Sequence, residues 1–165
     1  MTQFSKISPC LWLNGRAEEA ARFYVSLFDD SGIESIVRYC KIGFEHHGQP
    51  EGTVMTVAFR LAGQTFTALN GGPQFSFSEA ISFQVLCDTQ DEIDRLWSAL
   101  SQNGGSEGPC GWLKDRFGLS WQIVPSALPR FMTDPEPAKV ARVTQSFLKM
   151  RKLDAATIER AYRGE

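Results

Sequence analysis

The chain has 165 residues, of which 42% are hydrophobic and 22% are charged, and its formal net charge is −2. These values are typical of a globular domain and exclude a chain too polar to build a core. No basic run interleaved with aromatic residues is present, so we expect neither nucleic acid nor an anionic membrane as a partner. The apolar runs are far shorter than the roughly 20 residues of a membrane span. No secretory signal is visible, and we expect a cytoplasmic protein.

The cysteines and histidines do not form a recognisable metal motif. Four cysteines are spread along the chain without zinc-site spacing, namely Cys10, Cys40, Cys87 and Cys110. We interpret them as reduced structural residues, and the alternative of a reactive thiol favours Cys110, which proline and glycine flank. His46 and His47 adjoin each other in a polar segment. A surface pair is the simpler interpretation, and ligation of a metal or substrate is the alternative.

The first half of the chain predicts a strand, a helix and then three strands. Residues 17–28 predict the helix, because apolar side chains recur there at helical spacing. The strands are predicted over residues 6–13, 33–40, 53–61 and 65–70. Residues 44–52 are interpreted as a loop, and Gly71-Gly72-Pro73 ends this half because it continues neither a strand nor a helix.

The second half repeats this order at a period of roughly 74 residues, which indicates a duplication. A helix is predicted over residues 91–102, with Thr89 as N-cap and Glu92 at the capping-box spacing. Strands are predicted over residues 81–87, 111–114 and 119–124, and one strand is weak or missing around 106–110. The pattern favours an α+β fold.

A helical tail, residues 128–165, lies outside the duplication. Asp134-Pro135 predicts a helix start, with aspartate as the cap and proline at the first helical position. A shorter helix is predicted from Asp154. The first tail helix carries an apolar stripe formed by Val140, Val143, Phe147 and Met150. We expect this stripe to pack on its own domain, with a partner subunit as the alternative.

Four segments resemble a known family. They are residues 9–24, 68–73, 80–89 and 110–125, with the sequences PCLWLNGRAEEAARFY, ALNGGP, AISFQVLCDT and CGWLKDRFGLSWQIVP. They resemble the PhnB-like branch of the vicinal oxygen chelate superfamily, which includes glyoxalase I, extradiol dioxygenases and bleomycin-resistance proteins. The resemblance implies a homodimer and paired βαβββ modules that form a curved mixed sheet. Residues 1–127 would then form a glyoxalase-like domain with modules 1–73 and 78–127, followed by the helical extension 128–165.

The resemblance also implies where metal-dependent relatives hold their ion. These positions fall on Pro9 with Ser8 beside it, Asn70, Ala80 with Ser82 nearby, and Gln122. Proline and alanine have no side-chain donor, and neutral amides are weak ligands for a divalent ion, so we expect no metal. Members of this branch are often labelled demethylubiquinone methyltransferases. The chain has no glycine-rich strand-to-helix loop for a nucleotide-like cofactor, so we expect no cofactor and no methyl transfer.

If the ancestral ligand face is retained, strand alternation gathers polar and apolar side chains in one pocket. The predicted ligand-binding residues are Leu11, Leu13, Phe66, Asn70, Ser82, Gln84, Ser120 and Gln122. Such a pocket favours a small, largely neutral ligand, although its polar groups could instead satisfy one another or ordered water. Asp115 is interpreted as a turn residue rather than a catalytic acid.

These observations predict a homodimer that binds a small molecule in a metal-free pocket. A metal-independent lyase or isomerase is the alternative, and a scaffold with a vestigial cavity is a third possibility. Turnover by metal-free protein would favour the enzyme. Saturable quenching of tryptophan fluorescence without turnover would favour the binding protein, and a broad ligand screen without hits would favour the scaffold.

Overall fold

The structure, a computed structural model, describes residues 6–165. The chain divides into two compact units, which we call unit 1 and unit 2, with the boundary between Ser76 and Phe77. Each unit contains one four-stranded mixed sheet, and the strand order is the same in both. The predicted α+β fold of two βαβββ repeats followed by C-terminal helices is confirmed. Within residues 6–165, no helix has the length and apolar character required to span a bilayer.

Unit 1 contains β1, α1, β2, α2, β3 and β4. Their bounds are Cys10–Leu13, Ala17–Val25, Gly32–Arg38, Phe44–His47, Val54–Leu61 and Gln64–Asn70. The sheet order is β1-β4-β3-β2, with β1 parallel to β4 and the other pairs antiparallel. The prediction of a loop over residues 44–52 is wrong for its first part. A single helical turn forms there between Gly43 and Gly48, which both adopt left-handed backbone conformations.

Helix α1 covers one face of the unit 1 sheet. Tyr24 of α1 is almost fully buried and stacks on Phe59 of β3, which in turn stacks on its cross-strand neighbour Phe66 of β4. Side chains on this face therefore form the core of unit 1, since alternate strand residues point to opposite faces. The burial of such aromatic rings is a major source of stabilisation in a small unit.

Unit 2 begins with β5, α3, β6, β7 and β8. Their bounds are Ser82–Cys87, Gln90–Ser101, Ser106–Glu107, Trp112–Lys114 and Ser120–Pro125. The sheet order is β5-β8-β7-β6. The strand that the sequence left weak or missing is present but only two residues long. The predicted cap of α3 is confirmed, because Thr89 Oγ1 accepts a hydrogen bond from the Glu92 N–H, while the Glu92 carboxylate accepts one from the Asp88 N–H.

Three helices follow β8 and belong to unit 2. They are α4 Leu128–Met132, α5 Pro137–Phe147 and α6 Ala155–Arg163. The predicted helix start at Asp134-Pro135 is wrong. The Asp134 carboxylate instead accepts hydrogen bonds from the Glu136 N–H and the Tyr162 hydroxyl, so the chain turns once more before α5 begins. The shorter helix predicted from Asp154 is present as α6, and Asp154 caps it, because Asp154 Oδ1 accepts a hydrogen bond from the Thr157 N–H.

The tail packs against β8 of its own unit. Its buried cluster consists of Val124, Leu128, Phe131, Val143, Leu153 and Ile158. Gln90 at the start of α3 binds the tail backbone twice, because its amide donates to the Leu153 carbonyl and accepts from the Ala155 N–H. The N–H groups of Cys110 and Gly111 donate to the carbonyls of Met150 and Arg151. The tail is therefore held by hydrogen bonds as well as by apolar contact.

Candidate functional site

The unit 2 sheet has one face that packs on α3 and one that is turned away from it. Trp97 of α3 donates its indole N–H to Glu107 of β6, which identifies the α3 face. Leu113 and Trp121 are the next residues along this cross-strand row, so they also face α3. Because side chains alternate along a strand, Lys114 and Ser120, which pair across β7 and β8, lie on the opposite face.

Three of the predicted ligand-binding residues meet on this opposite face. Gln84 Nε2 donates to Gln122 Oε1 at 3.1 Å, and Gln122 Nε2 donates to Ser82 Oγ at 2.8 Å. The row is thus internally hydrogen-bonded. Mutual satisfaction of the polar groups was the alternative that the sequence left open, and it describes these three side chains.

Ser120 differs from its neighbours in this row. Its side chain is 1% exposed, and its Oγ has no hydrogen-bond partner among the described residues. A buried hydroxyl without a partner costs about 1–3 kcal/mol relative to a satisfied one. Ser120 borders a cleft of about 470 Å³. A bound molecule that reached this hydroxyl would satisfy it.

The cleft lies entirely within unit 2. Its lining residues are Glu79, Ser106, Glu107, Gly108, Pro109, Trp112, Leu113, Lys114 and Ser120. Trp112 and Pro109 supply apolar surface, while Lys114 forms an ion pair with Glu79, which precedes β5. The hydrogen bond from Lys114 lowers the pKa of the Glu79 carboxyl. The cleft thus combines an apolar wall, a buried hydroxyl and one lysine that is already paired.

The four predicted ligand-binding residues of unit 1 lie elsewhere. Leu11, Leu13, Phe66 and Asn70 are all buried, and their cross-strand pairing places them on the face that α1 covers. Asn70 Oδ1 accepts a hydrogen bond from the Ala17 N–H at 2.9 Å, and Asn70 Nδ2 donates to the Val54 carbonyl at 3.0 Å. Asn70 therefore ties β4 to the start of α1 and to β3. The assignment of these four residues to the face of Ser82 and Gln122 is corrected, because they form the core of unit 1.

At the positions where metal-dependent relatives hold an ion, this chain has no histidine and no carboxylate. The amides of Asn70 and Gln122 are engaged in the hydrogen bonds described above, and Ser8 and Ala80 lie on the surface. Across residues 6–165, no group of three or more histidine, cysteine or acidic side chains is placed to hold a metal ion. That the protein functions without metal stays a prediction.

The lining of the cleft includes no histidine and no cysteine side chain. His47 accepts a hydrogen bond from the Gln49 N–H and packs on the Tyr39 ring, while His46 Nε2 lies 3.4 Å from the exposed Glu45 carboxylate. Burial raises the pKa of the Cys87 thiol to about 12. These groups therefore contribute no side chain to the cleft lining.

Asp115 is buried at the turn between β7 and β8, with 1% of its surface exposed. Its Oδ1 accepts hydrogen bonds from the N–H groups of Phe117 and Leu119 at 2.8 and 3.1 Å, and its Oδ2 accepts one from the Trp121 indole at 2.8 Å. A carboxylate engaged in this way fixes a hairpin rather than transferring protons. Asp115 thereby orients the two strands that carry Lys114 and Ser120.

Of the nine residues that line the cleft, only Ser120 was among the predicted ligand-binding residues, and the ion pair of Lys114 and Glu79 was missed. The alternation that aligned Ser120 with Gln122 also places Trp112 and Lys114 on the same face, and this signal was available. Glu79 had no comparable signal, because it lies outside any strand or helix and reaches Lys114 only in the folded chain.

Two βαβββ repeats with the same strand order define a protein of the glyoxalase fold. The chain belongs to the family of PhnB-like proteins. The matching family model is described as 3-demethylubiquinone-9 3-methyltransferase and covers residues 5–124.

Several solved structures are similar to this chain. A PhnB protein from Bacillus cereus, described provisionally as a 3-demethylubiquinone-9 3-methyltransferase, is 38% identical, with a TM-score of 0.64 over 73% of this chain and 99% of its own. Protein PA1353 from Pseudomonas aeruginosa is 22% identical, with a TM-score of 0.57 over 74% of this chain and 98% of its own. A glyoxalase/bleomycin resistance protein from Albidiferax ferrireducens T118 is 21% identical, with a TM-score of 0.46 over 73% of this chain and 98% of its own. A comparison with curated proteins gave no match.

Proposed function

We propose that this protein binds a small molecule in the cleft of unit 2, without metal, as a cytoplasmic homodimer. The observation that supports binding most directly is the Ser120 hydroxyl, which is buried beside the cleft and lacks a partner within residues 6–165. A ligand that forms a hydrogen bond with the Ser120 hydroxyl offsets the free-energy cost of burying that hydroxyl away from water. The cleft volume of about 470 Å³ falls within the range of small-molecule sites.

Binding is favoured over catalysis by the state of the ionisable groups. Asp115 is engaged in three hydrogen bonds at its turn. Two carboxylates line the cleft. Glu107 accepts a hydrogen bond from the Trp97 indole, and the lowered pKa of Glu79 makes it a weak base. A metal-independent lyase or isomerase therefore has less support than a binding protein.

Methyl transfer is not part of this proposal, although the family description carries that name. Transfer from a nucleotide-like donor would need a strand-to-helix loop that approaches the donor closely. The connection from β5 to α3 consists of Asp88-Thr89, and the Asp88 N–H already donates a hydrogen bond to the Glu92 carboxylate. The connection from β1 to α1 contains one glycine, Gly15.

The test is a broad thermal-shift screen, together with native mass spectrometry to record oligomeric mass and any co-purified small molecule. Compounds that raise the melting temperature should lose most of this effect in Ser120→Ala and keep it in Ser35→Ala, because the Ser35 side chain is exposed in β2. Without ligand, Ser120→Ala should stabilise the protein by about 1 kcal/mol, since it removes an unsatisfied buried group. A screen without hits would contradict the proposal and favour the scaffold. Hits that keep their full effect in Ser120→Ala would also contradict it, because binding would then not depend on this hydroxyl.

A further inference from the structure

The ion pair at the cleft joins a sheet residue to a segment outside the sheet. Lys114 lies on β7, whereas Glu79 lies within residues 71–81, which form neither helix nor strand. The Lys114 and Glu79 side chains are 41% and 64% exposed. An exposed ion pair contributes little to stability, because water solvates both charges when the pair separates. Glu79 can therefore leave Lys114 at small cost to the fold.

Lys114 and Ser120 present two hydrogen-bond donors side by side. They are direct cross-strand partners on β7 and β8, and both line the cleft. Opposite residues of neighbouring strands have their Cβ atoms about 5 Å apart, within reach of one small oxygen-bearing group. The Lys114 ammonium is paired with the Glu79 carboxylate, whereas the Ser120 hydroxyl has no partner in the described chain.

We propose that the cleft selects a small molecule with one anionic oxygen group on an apolar body, and that this group replaces Glu79 on Lys114. The anionic oxygens accept hydrogen bonds from the Lys114 ammonium and the Ser120 hydroxyl, and the apolar body packs on Trp112 and Pro109. This inference rests on the proposed function and names its ligand class. It replaces the largely neutral ligand that the sequence predicted.

Glu79 then acts as an internal competitor for the ligand. The lowered pKa of its carboxyl keeps it ionised at neutral pH, so it competes with the incoming anion for the same ammonium group. Removal of the Glu79 charge should therefore strengthen anion binding, whereas removal of the Lys114 charge should weaken it. A purely structural ion pair would give neither effect.

The probe is 2-naphthoate, with 2-naphthamide as its neutral counterpart, titrated at low ionic strength. Binding is followed by NMR through the Trp112 indole N–H resonance, which Trp112→Phe identifies. The variants are Glu79→Gln and Lys114→Gln. Lys41 and Glu51 form an exposed ion pair in unit 1 at 3.6 Å, so Lys41→Gln and Glu51→Gln are matched controls for the loss of a surface charge.

The expected result is tighter naphthoate binding in Glu79→Gln, by about threefold to tenfold, and weaker binding in Lys114→Gln by about tenfold. The two controls should match the wild type, and naphthamide affinity should be the same in all five proteins. Equal affinity for the acid and the amide, or unchanged naphthoate affinity in Glu79→Gln, would overturn the inference while leaving small-molecule binding intact. If neither probe shifts the Trp112 resonance, the inference fails, and the thermal-shift screen decides the broader proposal independently.

Discussion

The buried carboxylate of Asp115 provides the sharpest test of how the candidate site is built. Asp115→Asn keeps an oxygen for the Phe117 and Leu119 N–H groups but turns an NH₂ group towards the Trp121 indole N–H, which then loses its 2.8 Å hydrogen bond. Hydrogen bonds to a charged group contribute about 1.5–3 kcal/mol each, and neutral ones about 1 kcal/mol. The lost indole bond and the two weakened bonds from the Phe117 and Leu119 N–H groups should together lower the free energy of unfolding by about 3 kcal/mol.

Urea denaturation followed by far-UV circular dichroism measures this loss. In a chain of this size, a loss of about 3 kcal/mol should also lower the melting temperature in a thermal scan by about 6–12 °C. Trp121→Phe removes the indole donor, so a double-mutant cycle should show a coupling of about 1.5–3 kcal/mol between Asp115 and Trp121. Asp29→Asn is the control, because Asp29 is exposed. A loss below about 1 kcal/mol, or an absence of coupling, would refute the structural role of Asp115.

Three further predictions concern other parts of the chain. Asn70→Ala leaves the Ala17 N–H and the Val54 carbonyl without their partner, so the free energy of unfolding measured in urea should fall by about 2–4 kcal/mol. A loss near zero would show that water replaces the amide. Burial raises the pKa of Cys87 to about 12, so iodoacetamide at pH 8 should alkylate the exposed Cys40 and spare Cys87 until the protein unfolds. Peptide mass spectrometry measures the labelling of each cysteine, and equal labelling would show that the Cys87 thiol is accessible. Gly71→Ala would place a Cβ 2.4 Å from the Trp12 ring and break the 2.9 Å hydrogen bond from the Trp12 indole to the Gly72 carbonyl. Tryptophan emission should therefore shift to longer wavelength, and an unchanged spectrum would contradict the close packing.

Local chemistry made most of the elements predictable. Thr89 and Glu92 cap α3 as expected, because a capping box depends only on residues close in sequence. The start of α5 was misplaced for the opposite reason. Tyr162, far along the chain, donates to the Asp134 carboxylate, and no pattern near Asp134 signals this contact.

The choice of sheet face in unit 1 was harder to predict. Strand alternation separates Phe66, Ala68 and Asn70 from Thr65 and Thr67 but does not itself state which set meets the helix. Aligning Asn70 with a metal position in relatives assigned the buried set to the pocket. The apolar character of Phe66 and Ala68 favoured the core, and this signal was present in the sequence.

The attachment of the tail to β7 and α3 bears on how the family is delimited. The family model ends at residue 124, yet the amides of Cys110 and Gly111 and the side chain of Gln90 find their partners beyond that point. Truncation at the family boundary would also uncover the apolar side of β8, where Val124 packs on the tail. Residues beyond the family boundary therefore cover part of the unit 2 sheet and provide hydrogen-bond partners for groups inside the matched region.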